Sequence, residues 1–267
     1  MRLVVFNQKG GVGKSTITCN LAAISAHQAL RTLVVDLDAQ CNSTHYLLGA
    51  AADEPRDTLA EFFDQTLKFT LRAKPTAEFI TETRFENLHL LPASPLLEEL
   101  HGKLESRYKI YKLRDALAEL DGRYDRIYID TPPALNFYTR SALISATGCL
   151  IPFDCDDFSR RALYTLLENV QEIQADHNRG LEVAGIVVNQ FQPRAKLPQR
   201  LVQELVDEGL PVLQPPLSAS VRIKESHDCA TPMVHLDPRH KLTQEYLALH
   251  AALQPRQEAG ARKARRA

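Results

Sequence analysis

No C-x-x-C pair, no long apolar run and no excess of either charge occurs in this 267-residue chain. Each absence excludes a class of protein. The five cysteines (Cys19, Cys41, Cys149, Cys155, Cys229) are odd in number and scattered. They read as reduced thiols of a cytoplasmic protein, not as a disulfide or zinc framework. No run of about 18 apolar residues is present, so no span of a membrane is predicted. Met1 leads straight into Arg2-Leu3-Val4-Val5-Phe6, without the charged leader, apolar stretch or cleavage site of an export signal. With 32 basic against 33 acidic residues, no global field dictates a partner. There is no internal repeat and no Gly/Ser linker. His227, His235 and His240 form no i, i+4 pair and have no cysteine at ligand spacing, which argues against a zinc-type site.

What is present is a 44% hydrophobic chain whose apolar residues come in short runs separated by helix-length segments. Strands are predicted at residues 3–7, 32–36, 88–92, 126–130, 149–153 and 183–189, with a weaker one at 211–214. These runs are nearly all apolar, as parallel strands covered on both faces require. Helical stripes fall at residues 14–30, 108–120, 161–174 and 197–207, and short peripheral helices are expected within residues 50–86. The alternation predicts an α/β fold: a single doubly wound, mostly parallel sheet flanked by helices over residues 1–254. Residues 255–267 differ in kind. Five basic residues against Glu258 give them a charge of +4, they contain no large aliphatic residue, and they are expected to be a disordered basic tail.

The first strand runs into Asn7-Gln8-Lys9-Gly10-Gly11-Val12-Gly13-Lys14-Ser15-Thr16 and then into a helical stripe. Glycines at 10, 11 and 13 let successive N–H groups turn inward around an anion. The helix that follows points its positive end at the same place. Lys14 is placed to reach terminal phosphates and Ser15 to ligate Mg²⁺, with residues 10–16 lining the nucleotide. The common P-loop pattern begins with glycine where this chain has Gln8, and it has no counterpart of Lys9.

On these residues the chain resembles the deviant Walker A ATPases, the family of the partition proteins ParA and Soj and of the septum-positioning MinD. Their K-G-G-x-G-K-[ST]-[ST] pattern matches residues 9–16 in full. Asp36-Leu37-Asp38-Ala39-Gln40-Cys41-Asn42-Ser43-Thr44 resembles the family's D-x-D-P-Q-G-N-[AS]-[TS] switch segment, departing at Ala39 and Cys41. Tyr128-Ile129-Asp130-Thr131-Pro132-Pro133 resembles its Walker B motif. The resemblance implies ATP and Mg²⁺ as cofactors and a homodimer formed with ATP, in which Lys9 crosses to the partner's nucleotide. It also implies Lys9, Lys14 and Asp38 as the catalytic set, Asp38 orienting the attacking water, with Asp130 and Ser15 serving the metal.

Asn189, closing the sixth predicted strand, falls where relatives read the adenine edge. Residues 216–225 resemble a segment in which relatives carry DNA-contacting basic residues, so Arg222 and Lys224 join Arg262, Lys263, Arg265 and Arg266 of the tail as candidate DNA contacts. The implied function is a ParA-like ATPase that binds DNA without sequence preference and positions DNA or another cargo with a stimulating adaptor. The alternative is a MinD-like ATPase cycling on a membrane surface, which needs an amphipathic anchor that the tail lacks. Iron–sulfur carriers would need bridging cysteines, tyrosine kinases a terminal tyrosine cluster, and biosynthetic amide ligases share the P-loop but generally not Lys9. Arg160 and Arg161 stand where relatives have an apolar-acidic pair, which suggests a partner surface.

Overall fold

The computed structural model describes residues 1–53, 57–68, 72–155 and 159–254. The candidate tail contacts Arg262, Lys263, Arg265 and Arg266 therefore lie outside the described residues. In chain order the elements are β1 (Arg2–Val5), α1 (Lys14–His27), β2 (Thr32–Asp36), α2 (Asn42–Leu48), α3 (Leu59–Leu67), β3 (Thr81–Glu82), β4 (Leu88–Leu91) and α4 (Leu96–Ser106). There follow α5 (Lys112–Glu119), β5 (Arg126–Asp130), α6 (Phe137–Ser145), β6 (Gly148–Asp154), α7 (Ser159–Asp176), β7 (Glu182–Asn189), α8 (Lys196–Asp207), α9 (Arg222–Asp228), α10 (Met233–Leu236) and α11 (Lys241–Ala252).

The strands form one seven-stranded sheet in the order β3-β4-β2-β5-β1-β6-β7. All pairings are parallel except that of β3 with β4. Strand alternation sends Val4 and Phe6 to one face, under α3 to α7, and Leu3 and Val5 to the other, under α1, α10 and α11. Both faces are covered, so the central runs are mostly apolar, and the doubly wound expectation holds. Parallel register matters for the site: Val5 is opposite Asp130 and Asp36 is opposite Asp130. Three strand ends are thereby levelled at the carboxyl edge of the sheet, where such folds bind ligands.

One predicted strand fails. Residues 211–214 lie beside β7, with Ile186 N–H donating to Pro211 O and Leu213 N–H to Ile186 O, but only the Ile186–Val212 bridge forms. Pro211, Pro215 and Pro216 supply no N–H, so no ladder can extend. The two-residue β3 was missed because Thr81-Glu82 is polar and too short for a periodicity. The predicted helix at 108–120 starts later, at Lys112, because Tyr108 adopts a φ of 54° and breaks the turn.

A buried polar chain ties α11 to the sheet. His250 Nε2 is 2.8 Å from Ser25 Oγ, which is 2.9 Å from the Tyr128 hydroxyl, and all three residues are buried. Burial, helped by the nearby Arg126, holds the His250 pKa down at about 4. The unfolded chain therefore takes up this proton first as pH falls below about 6.5. Stability from neutral His250 is complete above that pH and is lost toward pH 4. The expected size is about 3 kcal/mol. Asp36 and Asp130, raised by burial, act with the opposite sign in this range. The clean measurement is thus the difference in unfolding free energy between wild type and His250→Leu, which should narrow between pH 7 and pH 4.

Candidate functional site

The phosphate loop departs from β1 and is pinned before it turns. Asn7 Nδ2 donates to Pro152 O on β6 at 2.7 Å, and its Oδ1 accepts the Lys9 N–H at 2.8 Å. Gly13 caps α1 with a φ of 89°, and a Cβ there would lie 2.4 Å from Asn189 Nδ2. Only glycine fits this approach. Asn189, at the end of β7, donates to Val12 O at 2.9 Å, so one of its jobs is to brace the loop from below. Gly10, Gly11, Gly13 and the opening of α1 from Lys14 to Thr16 line a cavity of about 560 Å³ together with Asp38, Gln40 and Asn42.

Lys14 is buried and its Nζ donates to Lys9 O at 3.0 Å, closing the loop on itself. Burial lowers its pKa, while Asp130 and Asp38 oppose that. Lys9 takes a different course. Its side chain is half exposed, with Nζ 3.7 Å from Asp154 Oδ2 at the end of β6. The two lysines of the motif are thus separated, one turned into the cavity and one at its rim.

Asp130 ends β5 fully buried. It accepts from Ser43 Oγ at 2.7 Å and is hydrogen-bonded by the Ser15 hydroxyl. Burial raises its pKa, and the Ser15 and Ser43 hydroxyls hold it down. A carboxylate and a hydroxyl side by side are the hard oxygen donors that Mg²⁺ prefers, with water completing its shell. Asp38 is buried beside them; its Oδ1 accepts the Gln40 N–H at 3.0 Å.

Sequence reasoning passed over Asp36, the first aspartate of the switch segment. It is fully buried, its Oδ1 accepts the Asp38 N–H, and its Oδ2 accepts both the N–H and the hydroxyl of Thr44. Asp36 therefore fixes Asp38 and the start of α2 together. Burial and the adjacent Asp130 push its pKa well up. Cys41, at the family's glycine position, has a φ of 55°. The preference for glycine follows from that angle, which costs a side-chain-bearing residue roughly 1–2 kcal/mol.

The comparisons agree with this geometry. A family model described as an AAA domain matches residues 1–183. Chromosome partitioning protein ParA of Myxococcus xanthus (strain DK1622) is 32% identical over 259 residues, covering 95% of this chain and 88% of that protein. The chain belongs to the ParA family of P-loop ATPases. Sporulation initiation inhibitor protein Soj of Bacillus subtilis (strain 168) is 30% identical over 252 residues, covering 92% of this chain and 95% of Soj. Among solved structures, cobyrinic acid a,c-diamide synthase from Mycobacterium smegmatis with bound ATP analog and magnesium superimposes with a TM-score of 0.82. Its identity is 27%, and the match covers 97% of this chain and 96% of that one.

The remaining candidates of this ParA-family chain are dispersed. Arg222, on α9, is engaged by Glu225 and by Asp237, the latter at 3.4 Å. Lys224 is exposed and lines a second cavity of about 460 Å³ with Gly11, Gly13 and Asn189. Arg160 Nη1 donates to Glu204 at 2.7 Å and Nη2 contacts Glu208, so it ties α7 to α8, whereas Arg161 is exposed. His227 on α9, weighed from the sequence only as a metal ligand, lines the phosphate-side cavity, as do His45 and Tyr46, which drew no role from the sequence.

Proposed function

We propose that this chain is a ParA-type ATPase that binds ATP with Mg²⁺, dimerises on ATP and hydrolyses it to position DNA or another cargo. The observation that carries the reading is the pair of lysines: Lys14 inside the phosphate loop, Lys9 at its rim. One cation serves the bound triphosphate; a second at the rim suits the nucleotide of a facing copy. The likeness to a diamide synthase leaves the P-loop chemistry common to both, so Lys9 and the partition relatives at 30–32% identity favour the ParA reading.

In this reading the N–H groups of residues 10–16 and Lys14 hold the phosphates. Ser15 and Asp130 would hold Mg²⁺, the latter through water, and the ion would supply charge neutralisation at the terminal phosphate. Asp38 orients the water that attacks the γ-phosphorus and accepts its proton, and the bond to the leaving ADP oxygen breaks. Lys9 of each copy would neutralise charge on the other copy's nucleotide. Asn189 would take the base edge with whatever bonding capacity its contact to Val12 leaves.

The same reading makes an ATP-bound dimer a non-specific DNA binder with a nucleoid location, using Lys224, Arg222 once released from its carboxylates, and Arg262, Lys263, Arg265 and Arg266. An adaptor protein would stimulate turnover. Light scattering is expected to give a dimer with MgATP and a monomer with MgADP; a monomer in excess ATP would count decisively against it. Duplex binding should require ATP and ignore base sequence. The log–log salt slope should be about −0.9 per phosphate neutralised and flatten when residues 262–267 are removed. Pelleting with anionic vesicles at high salt, without DNA binding, would favour the membrane alternative.

A further inference from the structure

We propose that His227 is a nucleotide-contacting residue, its Nε2 meeting the phosphate nearest the sugar together with the Thr16 hydroxyl. The proposal rests on the ATPase reading and extends it to a residue outside the matched motifs, two positions past the Glu225 that ends the resemblance at that segment.

The phosphate-side cavity and the second cavity share Gly11, Gly13 and Thr16 as a common wall. A nucleotide whose terminal phosphates sit at Lys14 and whose base reaches Asn189 must cross that wall. The group lying over it is then the innermost phosphate and its link to the sugar. His227 Nε2 is 3.1 Å from Thr16 Oγ1 at this crossing. The imidazole comes from α9, 211 residues further along the chain, and it alone of that helix lines the phosphate-side cavity.

The ring is held in place by a buried framework. It packs against Tyr46 with centroids 4.5 Å apart. The Tyr46 hydroxyl is bonded to Ser226 and accepts from Asn20 Nδ2 at 3.2 Å. Asn20 Nδ2 also reaches Thr16 O at 2.9 Å, and Asn20 Oδ1 accepts the Met233 N–H. Thus α1, α2 and the 226–233 segment all set the position of one imidazole. Thr16 has a single hydroxyl proton. When it is donated to an anionic phosphate oxygen, the imidazole is left to present Nε2–H toward that phosphate, and a charge-assisted bond results.

The test compares MgADP and MgATP affinity in wild type, His227→Phe and His227→Gln, by displacement of a fluorescent ADP analogue. Phe keeps the contact with Tyr46 and loses the donor; Gln restores a donor at similar reach. His227→Phe should weaken ADP and ATP equally, by about 10-fold or more, and His227→Gln should bind within about 3-fold of wild type. Wild-type affinity in His227→Phe overturns the proposal. If that variant is unfolded by circular dichroism, the His227 ring resonances of the wild-type chain are followed during MgADP addition. A shift supports the contact, and unmoved resonances overturn it. Absence of any nucleotide binding by wild type would instead bring down the ATPase reading, and this proposal with it.

Discussion

Asp38→Ala is expected to slow ATP hydrolysis by roughly 10²–10⁴-fold, the range for losing a general base, while nucleotide affinity is retained. The carboxylate lies in the same cavity as Lys14 and Ser15, held by the Gln40 N–H on one side and by Asp36 through its own backbone N–H on the other. Truncation at Cβ leaves the Asp36 contact and the phosphate loop untouched, because neither uses the Asp38 side chain. Binding should therefore survive, and the loss should fall on kcat. Single-turnover hydrolysis with a parallel ADP affinity measurement separates the two. Normal turnover would move water positioning elsewhere, with Ala39 and Cys41, the departures in this loop, the first places to look.

The effect on Lys14 gives this variant a second signature. Asp38 is one of two carboxylates that keep the buried ammonium charged against its desolvation. Removing it lowers the Lys14 pKa further, so ATP affinity of the variant should fall off at a lower pH than that of wild type. A water-positioning residue without this electrostatic link would leave the alkaline limb of the binding profile unmoved.

The sheet and the phosphate loop were legible because both are local. An apolar run, three glycines, Lys-Ser and a helical stripe occupy fewer than thirty consecutive residues, and each constrains the backbone by itself. Asp38 and Asp130 drew attention for the same reason, each lying in a short local motif that follows an apolar run. What stayed hidden depends on contacts between distant segments. Nothing near His227 in sequence speaks of Thr16, and only the packing of α9 against α1 and α2 joins them. Asp36 drew no role from the sequence, and only its three acceptor contacts show it fixing Asp38 and Thr44 together. Arg222 looked like an available cation; two carboxylates engage it. Charge on a sequence reports what a residue can bind, whereas its neighbours in space decide what it is already bound to.

Lys9→Ala is expected to leave a chain that binds ATP, stays monomeric and hydrolyses at least about 10³-fold more slowly than the wild-type dimer, the scale of a cation supplied in trans to phosphoryl transfer. The backbone of Lys9 is part of the loop: its carbonyl accepts Lys14 Nζ and its N–H donates to Asn7 Oδ1. Both contacts persist in alanine, so the cradle remains. Only the side chain at the rim, ion-paired with Asp154, is removed. Lys14→Ala makes the contrast, since it removes the buried cation itself and should impair nucleotide binding outright. Gly10→Val supplies a steric counterpart. A Cβ at Gly10 meets nothing within 4 Å in the single chain, so the variant should fold. A failure to dimerise would then come from crowding against a facing copy. Light scattering in MgATP, with ATPase rates measured across a protein concentration series, checks all three variants. Wild-type turnover rising with protein concentration, and Lys9→Ala turnover flat and low, is the expected pair of curves. Dimerisation and full turnover by Lys9→Ala would leave the rim lysine without the trans duty assigned to it.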